Sequence, residues 1–141
     1  MLEILHSYLR EYTLAVPFSA LFVAIIVKWA VHAIKWKFSF SNMLGSGWMP
    51  SAHSTFVIAL ATAMWIKNWV WSDQFIICLV FSIIIIYDAL NVRFQAWLHA
   101  RILNKLEHDA DHLNESIWHT PIEAFVWWVI GFTTAVLLLG I

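Results

Sequence analysis

Long stretches without charge constrain the fold of this sequence more than any other feature. Four apolar segments, at residues 13–34, 51–70, 74–92 and 120–141, are separated by more polar ones. About 20 predominantly apolar residues are enough for an α-helix to cross the roughly 30 Å hydrocarbon core of a bilayer. Soluble domains contain about 45–50% apolar residues, whereas this chain of 141 residues contains 62%. We therefore expect an all-α, polytopic membrane protein with four transmembrane helices.

The polar segments predict one additional helix and no second domain. Apolar residues recur at helical spacing among charged ones over residues 1–12, which is typical of a short amphipathic helix lying in the membrane interface. We expect residues 1–141 to form a single membrane domain. The formal net charge is −1 and no basic run occurs, so nothing indicates nucleic acid as a partner. Four short spans bury little surface against one another, which leaves room for a homodimer.

The distribution of basic residues predicts how the chain is oriented. Four spans place the segments 35–50 and 91–120 on one side of the membrane, and these contain five basic residues, Lys35, Lys37, Arg93, Arg101 and Lys105. The opposite side has only Arg10 and Lys67. Loops rich in lysine and arginine remain in the cytoplasm. We therefore expect an integral protein of a bacterial inner membrane, with these polar loops on the cytoplasmic face.

The segment Pro50-Ser51-Ala52-His53-Ser54 begins the second apolar stretch. Ser51 is a good N-cap residue, and a helix that starts there presents free backbone N–H groups and a positive dipole end, which suit a phosphate group. His53 falls in the first turn, next to any anion bound there. The alternative interpretation is a capped helix with an interfacial histidine.

The segment His119-Thr120-Pro121-Ile122-Glu123 begins the fourth apolar stretch. Thr120 and Glu123 match the S/T-x-x-E capping box, and Pro121 occupies the favoured first helical position. His119 and Glu123 are four residues apart, close enough for the carboxylate to orient the imidazole. A histidine supported by a carboxylate is a plausible nucleophile or base. Capping and catalysis are compatible roles for Glu123.

Charged residues also occur at the same ends of the first and third apolar stretches. Lys28 lies within an apolar stretch, where charge commonly marks a functional site, although its side chain could instead extend to the interface. Lys35 follows on the same helical face, and Asp88 and Arg93 end the third stretch. The alternative for Asp88 and Arg93 is a mutual ion pair that anchors the helix end. All four stretches thus place polar residues at one membrane face, which fits cleavage of a phosphate ester on a membrane lipid.

Taken in this order, the motifs resemble the divergent branch of the type 2 phosphatidic acid phosphatase superfamily, whose members are also described as acid phosphatase/vanadium-dependent haloperoxidase-related. The resemblance extends from about Val23 to Gly140. It implies a phosphatidic-acid-phosphatase-like helix bundle and a phosphoric monoester hydrolase that needs no metal or other cofactor.

The resemblance also implies a role for each site residue. His119 attacks phosphorus to form a phosphohistidine, Glu123 orients it, and His53 acts as the general acid. The implied phosphate-binding residues are Lys28, Lys35, Ser51 and Arg93, and the supporting residues are Asp88 and Ser54. The expected substrates are lipid phosphates such as phosphatidylglycerophosphate, phosphatidic acid and polyprenyl phosphates or diphosphates.

Two alternatives remain open at this stage. The first is a metal-binding membrane transporter or sensor, in which a divalent cation binds the cluster His108, Asp109, Asp111 and His112. The second is a catalytically inactive member of the same family that serves as a membrane scaffold. It remains open because tryptophan replaces glycine of the family pattern at Trp48, Trp97 and Trp118.

Overall fold

A computed structural model describes residues 11–34, 52–106, 113, 115 and 120–140, with backbone alone described at 31–34 and 52. Every regular element in these ranges is helical, which confirms the all-α prediction. The elements are α1 (Ala15–Ile34), α2 (Ala52–Asn68), α3 (Asp73–Tyr87), a π-helical segment (Asp88–Val92), α4 (Arg93–Leu106) and α5 (Pro121–Leu139). The predicted interfacial helix over residues 1–12 lies outside the described residues except at its last two positions.

One continuous helix extends beyond the third apolar stretch. From Asp73 to Leu106 it contains 34 residues, a length of about 50 Å at 1.5 Å per residue. The prediction that a polar loop begins at residue 91 is therefore wrong for residues 91–106. Neither glycine nor proline occurs between Ser51 and Thr120. Because arginine, lysine and glutamine are good helix formers, the helix continues past the point where hydropathy falls.

Two of the described helices, Asp73–Leu106 and Pro121–Leu139, are long and apolar enough to cross a membrane, and the part of α1 from Ala15 to Ala30 is apolar as well. Their large apolar side chains are widely exposed, for example Phe81 at 62% and Leu137 at 76%. Extensive apolar surface of this kind is unfavourable in water and marks contact with a membrane or a partner. The arrangement of four spans stays a prediction.

α2 lies at the centre of the bundle and contacts α1, α3 and α5, while α1 also contacts α5. One buried cluster joins the start of α1 to the C-terminal parts of α2 and α5: Val16, Ala20, Ala59, Ala63, Ala135 and Leu139. At the same end, Lys67 Nζ donates a hydrogen bond to Thr13 Oγ1. α1 therefore runs antiparallel to α2, and α5 runs parallel to it. The opposite end of the bundle gathers the C-terminal end of α1 and the N-terminal ends of α2 and α5.

A tight turn joins α2 to α3 and makes them antiparallel. Trp69 adopts a positive φ of 74°, and Ser72 N donates to Trp69 O at 3.2 Å. Ser72 then caps α3 by accepting a hydrogen bond from Phe75 N. Further along α3, Ser82 Oγ donates to Val57 O at 3.1 Å across the helix pair. This contact fixes the register of α3 on α2.

α2 and α5 approach closely at Gly131. A Cβ atom at this position would lie 2.6 Å from Thr55 O and 3.3 Å from Ala59 N. Only a residue without a side chain fits there, as is common where membrane helices pack backbone to backbone. Thr55 is in the first turns of α2, so this contact fixes where the start of α2 lies on α5.

Candidate active site

The helix register places the described candidate residues at one end of the bundle. Thr13 and Lys67 are hydrogen-bonded at the opposite end of the bundle. Lys28 is fifteen residues after Thr13, and Ala52, where α2 begins, is fifteen residues before Lys67. Lys28 is therefore level with the start of α2. The Ser82–Val57 contact likewise places Asp88, six residues beyond Ser82, level with that helix start.

The first turn of α2 carries one exposed histidine beside buried hydroxyl residues. α2 begins at Ala52, so the backbone N–H groups of its first turn have no acceptor within the helix. His53 is exposed, whereas Ser54 is 1% and Thr55 0% exposed. The imidazole is thus available to a ligand at the helix start, and the hydroxyl groups face the bundle. Ser51 lies outside the described residues.

The start of α5 forms the predicted capping box, which the structure confirms. Thr120 N donates to Glu123 Oε2 at 2.8 Å, and Glu123 N donates to Thr120 Oγ1 at 3.3 Å. Pro121 is the first helical residue. The two bonds hold the Glu123 carboxylate at the helix start, beside Thr120, the residue that follows position 119. His119 itself lies outside the described residues.

Asp88 and Arg93 form an ion pair at the junction of α3 and α4. Arg93 Nε donates to Asp88 Oδ2 at 2.8 Å, and the Arg93 and Asp88 side chains are 28% and 41% exposed. The pair bridges the π-helical segment, in which Arg93 N donates to Asp88 O. The structure therefore shows the ion pair that was one interpretation of these two residues. The bond uses the Nε–H group, one of the five N–H donors of the guanidinium group.

Next to this end of the bundle, α1, α2 and α3 enclose an open apolar groove of about 390 Å³. Its described lining residues are Leu21, His53, Phe56, Val57 and Ile85. A second groove, of about 310 Å³, lies between α3 and the start of α5 and is lined by Ile86, Ala124, Phe125 and Trp128. Apart from His53, these lining residues were not predicted, since nothing in the sequence distinguishes them from other apolar residues of the same helices.

The helix register thus places Lys28, His53, Ser54 and Asp88 at the same level of the bundle, with Arg93 paired to Asp88 and Glu123 at the start of the neighbouring α5. Two other candidates, Lys35 and the cluster around His108, lie outside the described residues. Within the ranges that are described, no group of three or more histidine, cysteine, aspartate or glutamate side chains could hold a metal ion.

Comparison with known proteins identifies the family. The model of the Divergent PAP2 family matches residues 9–134, most of the chain, and the protein belongs to this family. It is also 29% identical, over 150 aligned positions that cover 92% of each chain, to YuiD of Bacillus subtilis (strain 168), described as an uncharacterized membrane protein. No solved structure matches the chain.

Proposed function

We propose that this protein is a membrane lipid-phosphate phosphatase, which hydrolyses the phosphomonoester or diphosphate of a phospholipid or polyprenyl lipid. The observation that carries the proposal is the gathering of Lys28, His53 and the Asp88–Arg93 pair at one end of the bundle, beside an apolar groove with His53 in its wall. Membership of the Divergent PAP2 family supports a phosphatase-related activity. In this proposal the chain has four spans in a bacterial inner membrane, and the site faces the cytoplasm.

The proposed reaction proceeds in two displacement steps. His119 attacks phosphorus while the ester P–O bond breaks, and the imidazolium of His53 gives its proton to the departing lipid oxygen. His53 then removes a proton from water, which attacks the phosphohistidine and breaks the P–N bond. Inorganic phosphate leaves and His119 is regenerated. The Glu123 carboxylate, held in the capping box, orients the His119 imidazole and stabilises its cationic form.

Positive charge and N–H donors stabilise the phosphoryl group in both steps. Arg93, Lys28 and Lys35 neutralise its oxygens, and Ser51 together with the N-terminal N–H groups of α2 binds them at the helix start. In the transition state the three equatorial oxygens, which share the charge, lie in one plane between the attacking and leaving atoms. Donors that are already placed to fit this planar group therefore lower the barrier more than they strengthen binding of the tetrahedral substrate.

The apolar groove favours a lipid over a water-soluble phosphate ester. Its walls are apolar apart from His53, and its volume of about 390 Å³ falls in the range typical of small-molecule sites. Leu21 is seven residues before Lys28, so the two side chains lie on the same face of α1. The groove therefore leads from apolar surface toward positive charge, which matches an amphiphile with an anionic headgroup.

The test is phosphate release by protein purified in detergent, with a panel of lipid phosphates and a chelator in place of added metal. Wild-type protein is expected to release phosphate and to be inhibited by vanadate. His119→Ala should abolish turnover, and His53→Ala should slow it about 100-fold or more, the scale of general acid–base catalysis. His99→Ala is the matched control, since His99 is an exposed histidine on α4.

The same assay separates the alternatives. Turnover by His119→Ala at the wild-type rate would refute the phosphohistidine mechanism. A folded wild-type protein that releases phosphate from no lipid in the panel would favour the inactive scaffold. Activity that requires a divalent cation, with loss on mutation of His108, would favour the metal-binding alternative.

A further inference from the structure

The helix that carries Asp88 and Arg93 changes register between them. In α3 each N–H group bonds to the carbonyl four residues earlier. Asp88 N still donates to Ile84 O, four residues earlier, and also to Ile85 O, whereas Arg93 N donates to Asp88 O, five residues earlier. The segment Asp88–Val92 therefore forms one π-helical turn within a helix that is otherwise α-helical on both sides. Single π turns of this kind are rare and occur often at functional sites.

This register is what allows Asp88 and Arg93 to meet. At 3.6 residues per turn, side chains five positions apart point about 140° away from each other around an α-helix. The π turn closes on the fifth residue, so both side chains come to the same face. Their atoms are 2.8 Å apart. A continuous α-helix of the same sequence would separate them.

The contact uses a particular part of the arginine side chain. Asp88 Oδ2 accepts from Nε of Arg93, and in the part of the chain that the structure describes no hydrogen bond is formed by the two terminal amino groups. A guanidinium group anchored at Nε has lost rotational freedom but keeps the paired terminal donors that bind phosphate oxygens in bidentate fashion. The side chain is only 28% exposed, so its terminal donors are already partly shielded from water.

We propose that Asp88 is a positioning residue, and that the π-helical turn pairs it with Arg93 so that the terminal amino groups of the guanidinium bind the phosphoryl group of the substrate. The inference rests on the proposed function for the identity of that ligand. A carboxylate near a phosphate site weakens anion binding through like charge, so its presence there is favourable only if it orients the cation. An ion pair that merely anchored the helix would affect stability and leave anion affinity unchanged.

The first test compares Asp88→Asn with Asp73→Asn, a matched control at the far end of the same helix. The dissociation constants of vanadate and inorganic phosphate are measured by calorimetry in detergent, and thermal unfolding is followed in parallel. Asp88→Asn should weaken vanadate binding about 10-fold, or about 1.4 kcal/mol, and lower kcat more than it raises KM. Asp73→Asn should change neither the vanadate affinity nor the kinetic constants kcat and KM. Vanadate affinity equal to that of the wild type in Asp88→Asn would overturn the inference.

The second test removes the π turn but keeps the pair. Deletion of the exposed Asn91 leaves the aspartate and the arginine four residues apart, the spacing at which an α-helix brings side chains together. This variant should retain vanadate affinity within about 3-fold of the wild type, whereas adding Asp88→Asn to it should again weaken binding about 10-fold. If the folded deletion variant binds vanadate as weakly as Asp88→Asn, the pairing role of the turn is wrong.

The two proposals fail in different ways. A wild-type protein that binds vanadate with the expected dependence on Asp88, but hydrolyses no lipid phosphate, would overturn the proposed function and retain this inference. Lipid hydrolysis that is unaffected by Asp88→Asn would retain the proposed function and overturn this inference. A wild-type protein that binds neither vanadate nor phosphate would overturn the positioning role.

Discussion

A methyl group added at Gly131 tests the link between helix packing and the site. Its Cβ would lie 2.6 Å from Thr55 O, whereas ordinary contact begins near 3.4 Å. The obstacle is a backbone oxygen of α2, which cannot rotate away as a side chain could. To accept Gly131→Ala, α2 and α5 must therefore separate by about 0.8 Å at this point.

The magnitude follows from two opposing terms. Overpacking of this kind destabilises by up to about 3 kcal/mol, and the better helix propensity of alanine returns about 1 kcal/mol. The net loss of about 2 kcal/mol corresponds to a Tm about 8 °C lower for a chain of this size. Because Thr55 is two residues from His53, the shift also moves the start of α2, and displacements near 1 Å reduce catalytic rates up to about 100-fold.

The assay is thermal unfolding in detergent, followed by tryptophan fluorescence, together with kcat on the best lipid phosphate. Val129→Ala is the control, since Val129 is an exposed residue of the same helix and its truncation should lower Tm by no more than about 2 °C. A Gly131→Ala protein with Tm and kcat at or above the wild-type values would show that α2 and α5 do not approach as described.

Three further substitutions have expected outcomes. Thr120→Val removes the N-cap, which should lower stability by about 1 kcal/mol and reduce kcat. Thr133 is an exposed threonine of the same helix, so Thr133→Val should leave kcat unchanged. Equal kcat in both variants would contradict a role for the cap in the site. Val57→Trp fills the groove and should lower kcat/KM for long-chain lipid phosphates at least about 10-fold more than for a short-chain, water-soluble phosphate ester. Equal losses on the two substrates would show that the hydrocarbon chain binds elsewhere. Lys28→Met should raise KM for the lipid phosphate about 10-fold, as expected for loss of a charged hydrogen-bond donor. Lys67→Met, at the opposite end of the bundle, should leave KM unchanged. A KM unaffected by Lys28→Met would show that Lys28 is not part of the phosphate site.

Local features of the site could be predicted from the sequence because they depend on neighbouring residues. The capping box needs only Thr120, Glu123 and the proline between them, and the structure confirms its two hydrogen bonds. The start of α5 likewise follows from its capping residue, and α2 begins at Ala52, within one residue of the predicted start. That the described candidates lie at one end follows from helix order, because in a series of antiparallel helices the end of one helix and the start of the next lie at the same face.

Features that depend on packing or on register could not be predicted. The sequence predicts a loop over residues 91–106 because charge is typical of a helix end, although no helix-breaking residue occurs there. The groove requires Leu21, Val57 and Ile85 to meet from three different helices, and each is an ordinary apolar residue in sequence. The π turn depends on which carbonyl group accepts from Arg93 N, and the segment Asp88–Val92 has no sequence pattern that distinguishes this register from the α-helical one.

The open side of the groove between α1 and α3 has a consequence for enzyme kinetics. A lipid that enters sideways encounters the protein by diffusion within the plane of the bilayer, so the concentration that matters is its mole fraction among the other lipids. Diluting the substrate with inert lipid at a fixed bulk concentration should then slow the reaction, and a Michaelis constant expressed in moles per litre would change with every preparation of vesicles. For the lipid phosphatase proposed above, surface concentration is therefore the appropriate variable.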